Sequence, residues 1–374
     1  MSERAVAARS ERLARVREEM ARQGVGALLL SLGADLPWLC GYEAMPLERP
    51  TVLVVPVESE ATLVVPEIEA PRVVPDAANF ALRPWAEGEG PIEVIASLTG
   101  RHRVLAISDR AWASLLLSLV DALPNALFRK ASTVTAALRA VKDEEEIAAL
   151  RAASAAADRV AEALLAGEIP LIGATEAQVS RELSARLLAE GHEKVNFAIV
   201  GSGPNSASPH HEPGARRIAA GDAVVCDFGG TLRLGEGPGY CSDTTRTVVA
   251  GEPPPGFAEL YAVLERAQSE AVAAVAAGRR CEEIDAAART VIEEAGFGEA
   301  FLHRTGHGIG IEEHEDPYIV SGNATTLRPG HAFSVEPGIY LAGRMGARIE
   351  DIVVVTEAAP EVLNHAPHGL VVVG

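Results

Sequence analysis

The chain has little of what would mark it for an oxidising compartment, a membrane or a polyanion. Its four cysteines, Cys40, Cys226, Cys241 and Cys281, are far apart and form no C-x-x-C pair, so reduced thiols in a cytoplasmic protein are the expectation. No run approaches the roughly 20 apolar residues of a membrane-spanning helix. The opening segment MSERAVAARSERLARVREEM alternates charge at helical spacing and lacks the uninterrupted apolar core of a signal peptide. Basic charge is scarce as well. A formal net charge of −19 argues against nucleic acid or an anionic membrane surface as the partner, since both need a basic face. Short internal repeats and low-complexity segments are absent.

What the chain does have is material for a sizeable core: 48% of its 374 residues are apolar and 23% charged. That length favours two domains over one. Residues 1–135 read as a helix followed by alternating strands and helices, with the β-rich runs VGALLLSL, PTVLVVPV and ATLVVPE bounded by glycine and proline. This block holds a single histidine, His102, and no clustered polar motif, which suits a supporting role. The character changes at KDEEE, whose acidic residues complement the dipole of a long Ala- and Leu-rich helix near Lys142. The second domain is placed at 136–374. Its helical stretches fall at about 143–166, 175–190, 256–278 and 281–295, between the runs KVNFAIVG, DAVVCDFGG, SDTTRTVVAG, HAFSVEPGIY and RIEDIVVVTE. Strands joined by tight Gly or Pro turns predict an α/β (α+β) fold with a largely antiparallel, curved sheet and helices on one side.

Polar motifs gather in the second block, at strand ends and in adjoining loops, where a rigid sheet aims side chains into a cleft. In DAVVCDFGG, Asp227 ends an apolar run. Its carboxylate needs a cation, donors or water, unless it caps a turn before Gly229 and Gly230. In GYCSDTTRTVV, Asp243 fits a metal ligand or a structural pair with Arg246 equally well. HRTGHGIGIEEHEDP sets His303, His307 and His314 within twelve residues, with Gly306, Gly308 and Gly310 letting the backbone turn closely beneath the imidazoles. The plain alternative is a His-rich loop in solvent. Glu336 in SVEPGIY and Glu350 in ARIEDIVVV interrupt apolar strands, where an unpaired glutamate is a poor stabiliser, and read as functional. Four carboxylates and one imidazole, brought to one point, suffice for two divalent cations.

In order, the motifs VxxDxG, YxSDxTRT, HxxGHGIGxxxHE, VEPGIY and RIED resemble those of the pita-bread metallopeptidases, in the branch of Xaa-Pro dipeptidases (prolidases) and aminopeptidase P. The resemblance covers essentially the whole second block. Upstream, DLPWLCGY and LRAVKDEEEI resemble the creatinase-like N-terminal domain and its junction. The resemblance implies that Asp227 binds one metal, that Asp243 and Glu350 bridge both, and that His307 and Glu336 bind the other. Carboxylate donors suit Mn²⁺ first, with Co²⁺ or Zn²⁺ as alternatives. Two such ions about 3.5–4 Å apart share and acidify a water, so no serine or cysteine nucleophile is needed.

Further roles follow from the same resemblance. His210, five residues after Asn205 in GSGPNSASPHHEPG, is preferred over His211 and steers the substrate or leaving group. His303 and His314 hydrogen-bond the substrate carbonyl and the developing oxyanion. Arg348 orients carboxylates or contacts substrate, and Glu336 also relays a proton to the leaving proline nitrogen. The chain departs from the family in its hairpin: TLRLGEGPGY sets Asp227 and Asp243 sixteen residues apart (243 − 227), and Asp243 rather than Glu236 is taken as ligand because TTRT follows it. The length, without a further domain, favours a dipeptidase acting on proline-containing di- or short peptides, as a cytoplasmic homodimer. An aminopeptidase P is the alternative, and a catalytically silent pita-bread binding protein a further one. Methionine aminopeptidases lack an N-terminal block of this size, and creatinase carries no metal.

Overall fold

The short apolar runs near the amino terminus fold as strands of one mixed sheet, since each is too short for a helix and is flanked by glycine or proline. The computed structural model describes residues 2–374 and divides into two units, Met1–Arg139 with Leu234–Pro238, and Ala140–Arg233 with Gly239–Gly374. The first unit contains α1 (Glu3–Gln23), β1 (Ala27–Leu30), α2 (Asp35–Cys40), β2 (Val52–Pro56), β3 (Thr62–Pro66) and β4 (Ala81–Trp85), then α3 (Pro91–Leu98), β5 (Val104–Ile107), α4 (Ala113–Ala122), β6 (Leu127–Lys130) and α5 (Ser132–Ala140). The strand order is β4-β3-β2-β1-β5-β6. Leu29, Val54, Val64, Ile95, Leu105 and Leu119 form its core.

The second unit opens with α6 (Glu144–Leu165). Asp143 accepts hydrogen bonds from the Glu145 and Glu146 N–H groups, and the Glu146 carboxylate accepts one from the Asp143 N–H, so the acidic run KDEEE is a capping box. There follow α7 (Glu176–Ala189), β7 (Lys194–Ser202), β8 (Asp222–Leu232), β9 (Tyr240–Cys241), β10 (Thr244–Ala250), α8 (Phe257–Ala274) and α9 (Cys281–Glu294). Short strands complete the unit: β11 (Gly306–Gly308), β12 (Glu315–Ile319), β13 (Ala332–Val335), β14 (Gly338–Leu341), β15 (Met345–Arg348), β16 (Asp351–Val354), β17 (Glu361–Val362) and β18 (Val371–Val373).

The curved sheet is built as separate ladders rather than one. One runs β18-β10-β8-β7, a second β12-β11-β13-β16-β17, and β14-β15 form a ribbon. Among the named strands of these ladders only β10–β18 is parallel. A single antiparallel bridge, Thr245 to Glu350, joins the two large ladders. Helices α6 and α7 pack Val160, Leu164, Leu183 and Leu187 against Val224, Cys226, Phe228 and Val248 of the first. Helices α8 and α9 pack Leu264, Ile284 and Ile292 against Phe333, Val335 and Val353 of the second.

Glycine decides how closely β11 lies on its neighbours. A Cβ at Gly306 would meet the Ser334 carbonyl oxygen at 1.7 Å, and one at Gly308 the Asp316 carbonyl at 2.2 Å. Both flank His307. Gly306→Ala is therefore expected to lower stability by about 2 kcal/mol or more through overpacking against rigid backbone. An unchanged urea midpoint would contradict this packing.

Candidate metal centre

Alternation along β8 separates a packed face from a polar one. Val224, Cys226 and Phe228 enter the helix-covered core, so Asp227 emerges on the opposite face, between Ile199 of β7 and Thr245 of β10. Asp227 thus lies inside a strand and caps no turn. The strand continues through Gly229 and Gly230 because neighbouring backbone occupies the space of their side chains: a Cβ would meet the Ser242 carbonyl at 2.2 Å and the Lys194 carbonyl at 2.6 Å. A second sequence alternative also fails, since Arg246 pairs not with Asp243 but with Asp351 at 2.8 Å, and donates to the Glu350 carbonyl at 2.7 Å.

Asp243, just before β10, Glu350, between β15 and β16, and His307 of β11 offer ligand atoms all within 4.8 Å of one another, a group able to hold a metal ion. His307 Nε2 lies 3.7 Å from Asp243 Oδ2 and 3.3 Å from Glu336 Oε1. Its Nδ1 is 3.1 Å from the Gly308 carbonyl, which only accepts, so the proton is assigned to Nδ1 and the Nε2 lone pair faces the carboxylates. Burial, then His314, push the His307 pKa well below its ordinary value, which keeps that lone pair available. Asp227 Oδ1 and Asp243 Oδ1 are buried with no hydrogen-bond partner. Orphaned carboxylate oxygens beside an imidazole lone pair suit a cation.

The electrostatics point the same way. Burial, then repulsion from Glu350, Asp227 and Glu336, raises Asp243 well above the carboxylate range. Glu350 is raised well above it by burial and by Glu336 and Asp227, and Glu336 is pushed up to about 7, mainly by burial. Buried Arg348 offsets part of this charge. Its Nη2 binds Asp227, its Nε donates to Thr245 Oγ1 at 3.0 Å, and its Nη1 donates to the Tyr340 hydroxyl at 2.7 Å. Thr245 in turn donates to Glu350 Oε2 at 2.7 Å.

All nine residues singled out from sequence line one cavity of about 550 Å³: Asp227, Asp243, His307, Glu336 and Glu350 with His210, His303, His314 and Arg348. Glu236 does not, and is exposed at the hairpin tip. His210 faces the cavity, whereas His211 turns away to bind Glu176 at 2.9 Å. The His314 ring lies 4.0 Å from that of His307. His303 differs from expectation, because both its nitrogens are engaged by the protein: Nδ1 with the Arg304 carbonyl at 2.7 Å, Nε2 with the Tyr340 hydroxyl at 2.9 Å. Burial and Arg348 lower its pKa to about 4, so it is neutral and accepts from Tyr340.

Residues 148–357 match metallopeptidase family M24, and residues 12–141 match the creatinase/prolidase N-terminal domain. The chain belongs to metallopeptidase family M24. It is 45% identical over 368 residues to the probable dipeptidase PepE of Mycobacterium bovis, covering 97% of this chain and 96% of that protein. It also resembles the crystal structure of dipeptidase PepE from Mycobacterium ulcerans, with a TM-score of 0.91, 44% identity and 98% of each chain covered. The prolidase of Thermococcus sibiricus is similar at a TM-score of 0.89 and 34% identity, over 97% of this chain and 98% of that one. The creatinase-like and pita-bread architecture expected from the motifs is thus present, and the M24 chain is a peptidase. Among its described residues no helix is long and apolar enough to cross a membrane.

Sequence reasoning missed four residues of this M24 site. Tyr340, Thr245 and Ser334 position Arg348, Glu350 and His307 through their hydroxyls, and Glu176 holds His211. Tyr340 and Thr245 lay within quoted motifs, so their place beside ionisable residues was the available signal.

The raised carboxyls set a pH dependence. A carboxyl whose pKa is raised on folding stabilises fully below its unfolded value near 4, and that contribution is lost as pH rises through the folded value, about 7 for Glu336. The metal-free chain should therefore melt at a lower temperature at pH 8 than at pH 6. A divalent cation held by these carboxyls would compete with those protons, so added Mn²⁺ should raise the melting temperature more at pH 8 than at pH 6. Calorimetry at both pH values, with chelator and with Mn²⁺, checks this, and an equal shift at the two pH values would refute it.

Proposed function

We propose that this M24 peptidase is an Xaa-Pro dipeptidase in which Asp227, Asp243, His307, Glu336 and Glu350 hold two divalent cations. The convergence of these five side chains in one cavity, two of them with orphaned oxygens, carries the proposal. Asp227 would serve one cation and His307 with Glu336 the other, with Asp243 and Glu350 shared. Bound cations supply Lewis acidity and a water acidified to near neutral pH. Oxygen-rich donors make Mn²⁺ the expected ion, with Co²⁺ or Zn²⁺ as alternatives.

The chain's own groups do the rest. Glu336, besides holding a cation, would relay a proton to the proline nitrogen, which has no N–H once in peptide linkage. His210 and His314 line the cavity, where His210 would steer the substrate or leaving group and His314 would hydrogen-bond the substrate carbonyl and developing oxyanion. Neutral His303 fixes Tyr340, and Tyr340 with Thr245 and Asp227 fixes Arg348. This network sets the carboxylates before substrate arrives. The relatives named dipeptidase and prolidase support the substrate class. Four buried free thiols support a reducing, cytoplasmic setting, and we assign a homodimer, which sedimentation would check.

Metal-stripped protein incubated with Ala-Pro or Ala-Pro-Ala, with and without Mn²⁺, should release alanine only with metal and faster from the dipeptide. Faster turnover of the tripeptide would replace the assignment by an Xaa-Pro aminopeptidase, and metal-independent turnover would overturn the mechanism. In the same assay Asp243→Ala should lower kcat/KM by more than about 100-fold, beyond the loss typical of residues that only support a ligand. Glu236→Ala should behave as wild type. The opposite pattern would mean that the longer hairpin shifts the ligand.

A further inference from the structure

The segment that carries His210 into the cavity has little regular structure of its own, a 3₁₀ turn at Gly203–Ala207 followed by irregular chain up to β8. Something else must hold it. Glu176, the first residue of α7, is completely buried beneath it and does not line the cavity. Its Oε1 accepts hydrogen bonds from the Ser202 N–H at 2.9 Å, the Ser202 hydroxyl at 2.7 Å and the Asn205 amide at 3.0 Å. Its Oε2 accepts from His211 Nε2 at 2.9 Å, the Asn205 amide at 3.2 Å and the Gly214 N–H at 3.4 Å.

All of these donors come from residues 202–214, on both sides of His210. Burial alone would push the Glu176 carboxyl up, but the hydrogen bonds from Ser202, His211 and Asn205 outweigh it, so the group lies below its ordinary pKa and stays ionised. A buried carboxylate is costly unless fully solvated by donors, and here the donors belong to one loop. That loop has a second anchor, the Ser206 hydroxyl accepting from the Gly346 N–H at 2.8 Å. Beyond it, the Pro209 carbonyl accepts from Arg348 Nη1 at 3.4 Å.

We propose that Glu176 is a positioning residue for the active site: its carboxylate gathers the 202–214 loop around itself and thereby aims His210, not His211, at the bound peptide. The role of His210 rests on the dipeptidase reading; the anchoring of the loop does not. Glu176→Gln keeps the size but replaces an acceptor by an amide NH₂ that opposes the loop's donors. It should lower kcat/KM about tenfold or more, within the range typical of residues that support a reacting group. Bound metal per chain should stay unchanged. Amides of residues 202–214 should exchange faster with deuterium while those of β8 do not.

The deciding measurement is a double-mutant cycle with His210→Ala, in which Glu176→Gln should cost less than about twofold once His210 is gone. Independent, additive losses would overturn the proposal, as would full activity of Glu176→Gln with a loosened loop. If Glu176→Gln does not fold, His211→Asn removes a single bond to the same carboxylate and should give a smaller loss with the same non-additivity. The cycle uses whichever peptide the wild type hydrolyses. Absence of any proline preference would then overturn the substrate class and leave the cycle to judge Glu176.

Discussion

Four carboxylates that converge where water is largely excluded form the constraint around which this protein is arranged. Asp227, Asp243, Glu336 and Glu350 lie close enough to repel, and burial penalises the charge of Asp243, Glu336 and Glu350. A fold carrying such a cluster must protonate it, neutralise it or bind cations in it. Arg348 supplies one fixed positive charge and is itself held on three sides by Asp227, Thr245 and Tyr340. The remainder explains why Asp243 and Glu350 titrate so far above ordinary carboxyls and why two carboxylate oxygens find no donor. Such a cluster costs stability unless protons or cations occupy it.

The scaffold meets that constraint by dividing the candidate ligands between two ladders and tying the ladders at the site. Asp227 and Asp243 belong to the β8–β10 hairpin, His307 and Glu350 to the ladder around β11, β13 and β16, and the bridge between Thr245 and Glu350 is the seam. Below the seam, fully buried Arg246 reaches Asp351 and the carbonyls of Glu350 and Ala366, so the backbone bearing Glu350 cannot drift. Close approach is secured by glycine. Neighbouring carbonyls fill the side-chain space at Gly229, Gly230, Gly306 and Gly308.

Much of this was legible in the linear chain because metal-site chemistry and strand packing leave opposite marks. An apolar strand interrupted by Glu350, or three histidines set among glycines, has no packing reason, so such positions stand out singly. The capped start of α6 was equally plain, since acidic residues at a helix start act locally. Other features depended on contacts distant in sequence. Asp227 before two glycines looked like a turn cap, and only the carbonyls of Ser242 and Lys194 show that the strand must run on. His303 resembled a substrate donor until Tyr340, 37 positions away, took its second nitrogen. Glu176 sits in an ordinary helix start and gave no signal at all.

Residue type and order alone therefore determined the family and the two-block organisation, and they supplied the candidates for metal ligands. Those properties depend on which side chains are present and on local pattern, and both survive in a list of letters. Only the tertiary structure decided which nitrogen of His307 is free, how Arg348 shares its three arms, and what turns His211 away from the cavity. Hydrogen bonds are directional and short, so the arms of Arg348 are set by Asp227 and Thr245, more than a hundred residues away, and His211 is turned by Glu176, 35 residues away, partners that meet only once the chain has folded.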